Sequence, residues 1–186
     1  MHASSLKLME FFFDSYVPDN SVVLDIGGTY DHGNYRDIVL KYNSTYKSLD
    51  WSNADYIVKG YDWSNVPEKY FDVVISGQTF EHDPYFWKTL KNIKRVIKPN
   101  GLVIIIVPSK CAFHQYPMDC YRFYPDSAIV FSEILNADIG KVIWNNEYAV
   151  QAFNEKAMGA AHVKSIIFEH QESNDAGDLG MIFRMK

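Results

Sequence analysis

A short apolar run that ends in an acid and two glycines is the strongest constraint on this chain. Val22 to Ile26 is typical of a buried strand, with Asp25 near its end. Gly27 and Gly28 follow directly, and Asp50 ends the next strand-like run. Glycines leave room for a ligand beside the backbone, and a carboxylate can hold ribose hydroxyls. The pattern indicates an α/β protein that binds an adenosine-containing cofactor at the carboxyl ends of its strands.

Strand-like and helix-like segments alternate along most of the chain. Residues 102–107 are apolar on both faces, which is typical of a central strand covered by helices on both sides. Alternation of this kind predicts a parallel sheet with right-handed crossovers. The expected strands lie at residues 22–26, 46–50, 54–59, 71–76 and 102–107, and the expected helices at residues 6–16, 34–41 and 84–98.

The C-terminal part has a different pattern. Residues 163–169 and 179–185 are two strand-like runs, and residues 173–178 between them are too few to hold a crossover helix. The runs therefore predict an antiparallel hairpin. The expected fold class is α/β: a Rossmann-like seven-stranded sheet, mostly parallel with an antiparallel C-terminal hairpin, and helices on both faces.

Composition and charge exclude several classes of protein. The chain has 186 residues, a net charge of −5 and 47% apolar residues, which suits a globular domain and argues against a nucleic-acid partner. The lysines within residues 88–98 are expected to form a solvated helix face. No apolar run is long enough for a membrane span and no export signal is seen, so we expect a cytoplasmic protein without a membrane partner. Cys111 and Cys120 form no metal or redox motif.

Four segments, in this order and spacing, resemble the class I S-adenosylmethionine-dependent methyltransferases. The resemblance extends roughly from Val22 to Phe131. Thr29 and Asp31 depart from it, because most members carry further glycines at those positions. The segments are Val23-Leu24-Asp25-Ile26-Gly27-Gly28, Leu49-Asp50, Tyr70 to Ser76 with Phe80-Glu81-His82, and Ile97 to Leu102.

The resemblance implies S-adenosylmethionine as methyl donor and S-adenosylhomocysteine as product. It implies that Asp25 orders the turn or meets the methionine ammonium group, and that Asp50 accepts hydrogen bonds from both ribose hydroxyls. Asp62 resembles the acceptor for the adenine amino group. The remaining implied contacts are the backbone at Gly27 and Gly28, a loop with Asp31, Gly33, Asn34 and Arg36, the faces of Trp51 and Trp63, and Gln78 beside the sulfonium.

The segment of residues 108–125 is rich in polar and aromatic residues and does not resemble a strand or a helix. Long loops at strand ends usually carry function. We expect His114 to act as general base or to orient the acceptor, with Asp119 or Arg122 positioning the substrate. The alternative is that Asp119 and Arg122 pair to hold the loop in shape. His82 is the alternative base.

The sequence predicts methyl transfer to an oxygen or nitrogen of a small-molecule or glycan acceptor. No set of acids indicates a magnesium site, so metal-independent transfer is expected. The alternative is a non-catalytic relative that binds the cofactor as a partner subunit. A nicotinamide enzyme is disfavoured because adjacent Gly27 and Gly28 do not match Gly-x-Gly-x-x-Gly.

We expect one domain over residues 1–186: an N-terminal helix (1–20), a cofactor-binding core (21–108) and an acceptor-side loop with the hairpin (109–186). The sequence does not indicate the oligomeric state.

Overall fold

A seven-stranded sheet forms the centre of the molecule, in a computed structural model that describes residues 3–31, 33–145 and 177–186. The strand order is β3-β2-β1-β4-β5-β7-β6. The strands are β1 (Val22–Ile26), β2 (Thr45–Asp50), β3 (Tyr56–Ile57), β4 (Phe71–Gly77), β5 (Ile97–Lys110), β6 (Ala137–Asn145) and β7 (Gly177–Met185). The helices are α1 (Ala3–Tyr16), α2 (Arg36–Lys41), a 3-10 turn (Phe80–His82), α3 (Phe86–Val96) and α4 (Ser127–Leu135).

Strand directions confirm the expected fold class. The strands β3, β2, β1, β4 and β5 pair in parallel, and β7 pairs antiparallel with both β5 and β6. The outer partner of β7 is Ala137–Asn145, a strand that the sequence analysis did not predict. The predicted strand at residues 163–169 lies outside the described residues. The antiparallel end of the sheet is therefore present, with a partner strand from an earlier part of the chain.

Helices cover both faces of the sheet, as predicted. One core contains Leu8, Phe12 and other residues of α1 and α2, and the opposite core contains residues of α3 and α4 such as Leu90 and Phe131. Alternate residues of β5 enter both cores, which explains its unbroken apolar run. None of the helices in the described ranges is long and apolar enough to cross a membrane.

The strand β3 is shorter than predicted for a local reason. The carboxylate of Asp55 accepts a hydrogen bond from the backbone N–H of Ser48 at 3.0 Å. Pairing between β2 and β3 starts only beyond that bond, where Leu49 lies opposite Tyr56. Asp55 therefore satisfies the β2 edge with a side chain, and the regular ladder is limited to two residue pairs.

The sheet order creates a crevice at the carboxyl ends of β1 and β4. The chain leaves β1 toward β2 and β3 on one side, whereas β4 and β5 lie on the other side. The connections therefore diverge between β1 and β4, which is where open α/β sheets bind their ligands. The candidate site is built on these strand ends.

Candidate functional site

The turn after β1 requires glycine because neighbouring side chains leave no room for a Cβ atom. Gly27 has φ +83, and a Cβ there would lie 2.2 Å from Thr79 Oγ1. A Cβ on Gly28 would lie 2.6 Å from Asp25 Oδ2 and 2.6 Å from the Tyr46 hydroxyl. The sequence analysis assigned both glycines to the approach of a ligand. The structure shows that internal packing already requires them, so their presence alone does not identify a ligand.

Asp25 lies beneath this turn and is 1% exposed. Its Oδ2 accepts hydrogen bonds from the Tyr35 backbone N–H at 3.1 Å and the Tyr46 hydroxyl at 2.9 Å. Burial raises the pKa of Asp25 to about 7, although these two hydrogen bonds oppose the shift. Of its two expected roles, ordering the turn agrees with this geometry. Direct contact with the methionine ammonium group does not, because the carboxylate is enclosed.

The loop after Gly28 is closed by an asparagine. Asn34 donates from Nδ2 to the Thr29 carbonyl at 2.7 Å, and its Oδ1 accepts the Arg36 backbone N–H at 3.1 Å. Asp31 is exposed, and Gly33 has φ +70 with no atom near the position of a Cβ. Asp31 is therefore open to solvent, and its predicted contact with the cofactor stays a prediction.

The end of β2 contributes an acid and an exposed indole. Asp50 is partly buried, and its Oδ1 accepts the Trp51 backbone N–H at 2.6 Å. Trp51 itself is 65% exposed. Tyr30 ties the first loop to this one, since its N–H donates to the Asn53 carbonyl at 3.1 Å and its hydroxyl to Asp55 at 2.6 Å. The structure thus brings Asp50 and Trp51 beside the turn after β1.

The structure corrects the prediction for Trp63 and weakens that for Asp62. Trp63 is 3% exposed and packs in the core, so its ring has no open face for adenine. Arg95 of α3 holds this segment down by donating to the Trp63 carbonyl at 2.6 Å. Asp62 is exposed and accepts the Ser64 backbone N–H at 3.0 Å, a bond that lowers its pKa. Its observed contacts are those of a turn former.

Gln78 lies at the end of β4 with φ +56. Its side-chain Nε2 donates to Asp178 Oδ1 at 3.0 Å, and Asp178 also accepts the Ser4 hydroxyl at 2.5 Å. The sequence analysis missed Asp178, which it placed in a turn. Because β7 runs antiparallel to β5, with Asp178 opposite Pro108, this buried acid returns to the same edge of the sheet.

Asp119 and Arg122 hold the loop after β5 in shape. The guanidinium of Arg122 bonds both carboxylate oxygens of Asp119 and donates from Nη2 to the Ala112 carbonyl at 3.0 Å. Asp119 also accepts the His114 backbone N–H at 2.7 Å. The Arg122 hydrogen bonds keep the pKa of Asp119 well below its usual range. The side chain of Asp119 is 1% exposed, so the structure favours the loop-holding alternative over direct substrate contact.

Two histidines meet where this loop approaches the end of β4. The rings of His82 and His114 lie 5.0 Å apart and nearly perpendicular. His82 Nδ1 lies 2.5 Å from the Met118 carbonyl, and His114 Nδ1 lies 3.1 Å from the Ala112 carbonyl. A carbonyl oxygen only accepts, so each Nδ1 is the donor in these contacts. The His114 side chain is 44% exposed, as a group that meets an acceptor should be.

Glu81, which belongs to the Phe80-Glu81-His82 segment, was not predicted as a site residue and is a functional candidate in the structure. It is 0% exposed, and among the described residues neither carboxylate oxygen accepts a hydrogen bond. Oε1 lies 3.6 Å from His82 Nε2. Burial raises the pKa of Glu81 to about 7. Its backbone carbonyl accepts hydrogen bonds from the N–H groups of Cys120 and Tyr121, at 2.7 and 3.2 Å. These bonds hold the loop after β5 against the 3-10 turn that follows β4.

Comparison with known proteins agrees with this architecture. Residues 37–105 match a protein-family model described as a methyltransferase domain. No curated protein matches the chain. A solved S-adenosylmethionine-dependent methyltransferase from Archaeoglobus fulgidus aligns with a TM-score of 0.63 and 16% identity, over 97% of this chain and 94% of that one.

Two further solved structures share the fold. The 1,6-didemethyltoxoflavin-N1-methyltransferase of Burkholderia thailandensis, solved with 1,6-didemethyltoxoflavin and S-adenosylhomocysteine, aligns with a TM-score of 0.67 and 12% identity, over 98% of this chain and 78% of that one. A Haloferax volcanii complex of the Trm112 methyltransferase activator with its methyltransferase aligns with a TM-score of 0.62 and 13% identity, over 97% of this chain and 89% of that one.

The matched segment runs from α2 into β5 and so includes Asp50, Gln78 and Glu81. It contains the parallel strands β2, β3 and β4 and the first part of β5, on the two sides of the crevice, whereas β1 precedes it. Residues 37–105 therefore resemble a methyltransferase domain, and the chain as a whole has the fold of solved S-adenosylmethionine-dependent methyltransferases.

Proposed function

We propose that this enzyme transfers the methyl group of S-adenosylmethionine to an oxygen or nitrogen of a small-molecule or glycan acceptor. One observation carries the proposal. The loop after β5 is fastened beside the end of β4 through the Glu81 carbonyl, at the same edge of the sheet as the turn after β1 and Asp50. A donor held on the β1–β2 side would direct its methyl group toward His82 and His114.

The donor half of the site uses four groups with distinct chemistry. The backbone at Gly27 and Gly28 forms the floor, and the Asp50 carboxylate binds the two ribose hydroxyls. Trp51, which is largely exposed, supplies a flat surface for adenine. Gln78 lies at the end of β4, where its amide faces the methionine end. These assignments are our proposal for the bound state.

The acceptor half is lined by exposed rings on the loop after β5. Phe113 is 73% exposed and Tyr116 is 62% exposed. Rings of this kind bind the flat, apolar faces of metabolites, with a few polar groups fixing the orientation. The protein's net charge of −5 disfavours a polyanionic acceptor. The Burkholderia relative, which is named for a small-molecule acceptor, is a precedent within this fold.

Methyl transfer requires alignment above all. The acceptor atom must approach the methyl carbon in line with the carbon–sulfur bond, and a hydroxyl or ammonium acceptor must lose a proton. We assign proton removal to the side of the site formed by His114 and His82. Asp119 and Arg122 act as positioning residues, because they hold the loop that carries His114.

The proposal is tested in two steps with the whole chain. Calorimetric titration with S-adenosylmethionine should show saturable binding, and a homocysteine-release assay over sugars, hydroxylated aromatics and amines should show turnover with one class. His114→Ala should keep cofactor affinity and lose turnover, whereas Glu133→Gln, on the exposed surface of α4, should change neither. Binding without turnover on any acceptor would favour a non-catalytic partner subunit. No binding at millimolar cofactor would contradict both functions.

A further inference from the structure

We propose that Glu81, His82 and His114 form a binding site for one divalent transition-metal ion. One ligand atom from each of these three residues lies within 4.8 Å of the others. Two imidazoles and one carboxylate are ligands that suit Zn²⁺, Fe²⁺, Mn²⁺ and Co²⁺, whereas Mg²⁺ and Ca²⁺ prefer oxygen alone. The sequence predicted metal-independent transfer because it shows no set of acids, whereas this ligand set has two histidines and one acid.

The spacing of the first two ligands fits a shared ion. Glu81 Oε1 and His82 Nε2 are 3.6 Å apart. Two ligands of a tetrahedral ion are separated by about 3.4 Å when each bond is about 2.1 Å long. An ion between the two atoms therefore needs only a small adjustment of the side chains. His114, on a loop and 44% exposed, has room to close the third bond.

The surroundings of Glu81 give a second, independent indication of a cation site. Its carboxylate is fully buried, and among the described residues no group donates a hydrogen bond to it. Arg122, whose charge acts on Glu81 electrostatically, uses its guanidinium on Asp119 and on the carbonyls of Ala112 and Tyr121. A buried carboxylate without donors is costly, and a bound cation removes that cost.

Both histidines make a backbone contact that is common in metal-binding histidines. Their Nδ1 atoms face backbone carbonyls, Met118 for His82 and Ala112 for His114. Metal-binding histidines usually donate their second ring N–H to such a carbonyl, which fixes the tautomer and leaves the other nitrogen for the ion. The two rings are nearly perpendicular, at 87°, so they do not stack face to face. Their contacts match the outer shell of a metal site.

The role of the ion rests on the proposed function. Three protein ligands leave a coordination position for an acceptor hydroxyl. Coordination lowers the pKa of that hydroxyl, which releases its proton to solvent. The oxygen lone pair then forms the carbon–oxygen bond with the methyl group. The carbon–sulfur bond breaks with its electron pair on sulfur, so the sulfonium becomes a neutral thioether. This role favours an oxygen acceptor.

Metal binding is tested on the whole chain without cofactor or acceptor. After dialysis against EDTA, titration with Co²⁺ should give visible absorption bands that saturate at one ion per chain, and Zn²⁺ should displace the ion while Mg²⁺ should not. Loss of a ligand in Glu81→Gln or His114→Ala should weaken Co²⁺ binding by more than the roughly 10- to 100-fold that outer-shell changes cost. Glu133→Gln removes a distant carboxylate and should have no effect.

Each result bears on the site separately from the proposed function. Absence of saturable Co²⁺ binding, or equal binding by both ligand variants and wild type, would overturn the metal site. If Glu81→Gln fails to fold, His114→Ala alone decides, because its side chain lies on an exposed part of the loop. Binding of S-adenosylmethionine without Co²⁺ binding would refute the metal site and leave the methyl-transfer proposal intact. Co²⁺ binding without cofactor binding would support the metal site and contradict the methyl-transfer proposal.

Discussion

Replacing the buried acid under the turn after β1 should change how stability depends on pH. Asp25 has a native pKa of about 7, against an ordinary value of 3.8. Because burial raises this pKa, the protonated acid stabilises the native state. That stability is fully present below the unfolded pKa and is lost as pH rises through the native pKa. The Asp25→Asn variant keeps a neutral group at every pH and should lack this loss.

The size of the effect follows from the pKa shift. One pKa unit corresponds to about 1.4 kcal/mol, and two units separate pH 5 from the native pKa of about 7. The stability of wild type relative to Asp25→Asn should therefore fall by about 3 kcal/mol, as an upper estimate, between about pH 5 and pH 8. Other titrating groups contribute equally to both proteins and cancel in this difference.

Urea unfolding followed by circular dichroism, at several pH values in that window, measures the difference directly. Asp62→Asn is the matched control, because it makes the same chemical change at an exposed acid whose pKa is lowered instead of raised. The control should not reproduce the fall. Parallel stability curves for wild type and Asp25→Asn would show that Asp25 is ionised in the native state throughout, and would refute the reasoning.

Three further predictions concern the turn, the donor and the loop. Gly27→Ala should lower the free energy of unfolding by about 1–3 kcal/mol more than Gly33→Ala in urea titrations, because both have positive φ but only the Gly27 Cβ meets Thr79; equal losses would remove the clash argument. Asp50→Asn should weaken calorimetric S-adenosylmethionine binding about 10- to 100-fold, since hydrogen bonds to a charged group contribute about 1.5–3 kcal/mol; unchanged affinity would place the ribose elsewhere. Arg122→Lys should accelerate proteolysis of the loop and reduce turnover without changing cofactor affinity; an intact loop would contradict its positioning role.

Much of the sheet could be predicted because central strands that are buried on both faces have continuous apolar sequences. The strand β5 is apolar on both faces, and its prediction as a covered central strand is confirmed. The edge strand β6 was missed. Its register shifts between Ile139 and Lys141, so the alternation of apolar and polar residues is broken at Gly140. An edge strand with a bulge leaves little periodic signal in the sequence.

The candidate site was predicted less completely, since contacts between distant segments decide it. The position of Asp50 at the end of β2 followed from strand boundaries. Trp63 packs in a core built from distant segments, and its carbonyl is held by Arg95 from a helix about thirty residues later, so no local sequence pattern predicts its burial. Glu81 was visible as a motif residue. Its lack of hydrogen-bond donors appears only once Arg122 is seen to be occupied by Asp119.

A crystal structure with S-adenosylhomocysteine would show where the methyl donor lies relative to the two histidines. We expect the ribose hydroxyls on the Asp50 carboxylate, the methionine end near Gln78, and the sulfur facing His82 and His114 across the crevice. A cofactor bound away from the carboxyl ends of β1 and β4, or a sulfur turned away from the two histidines, would contradict this expectation.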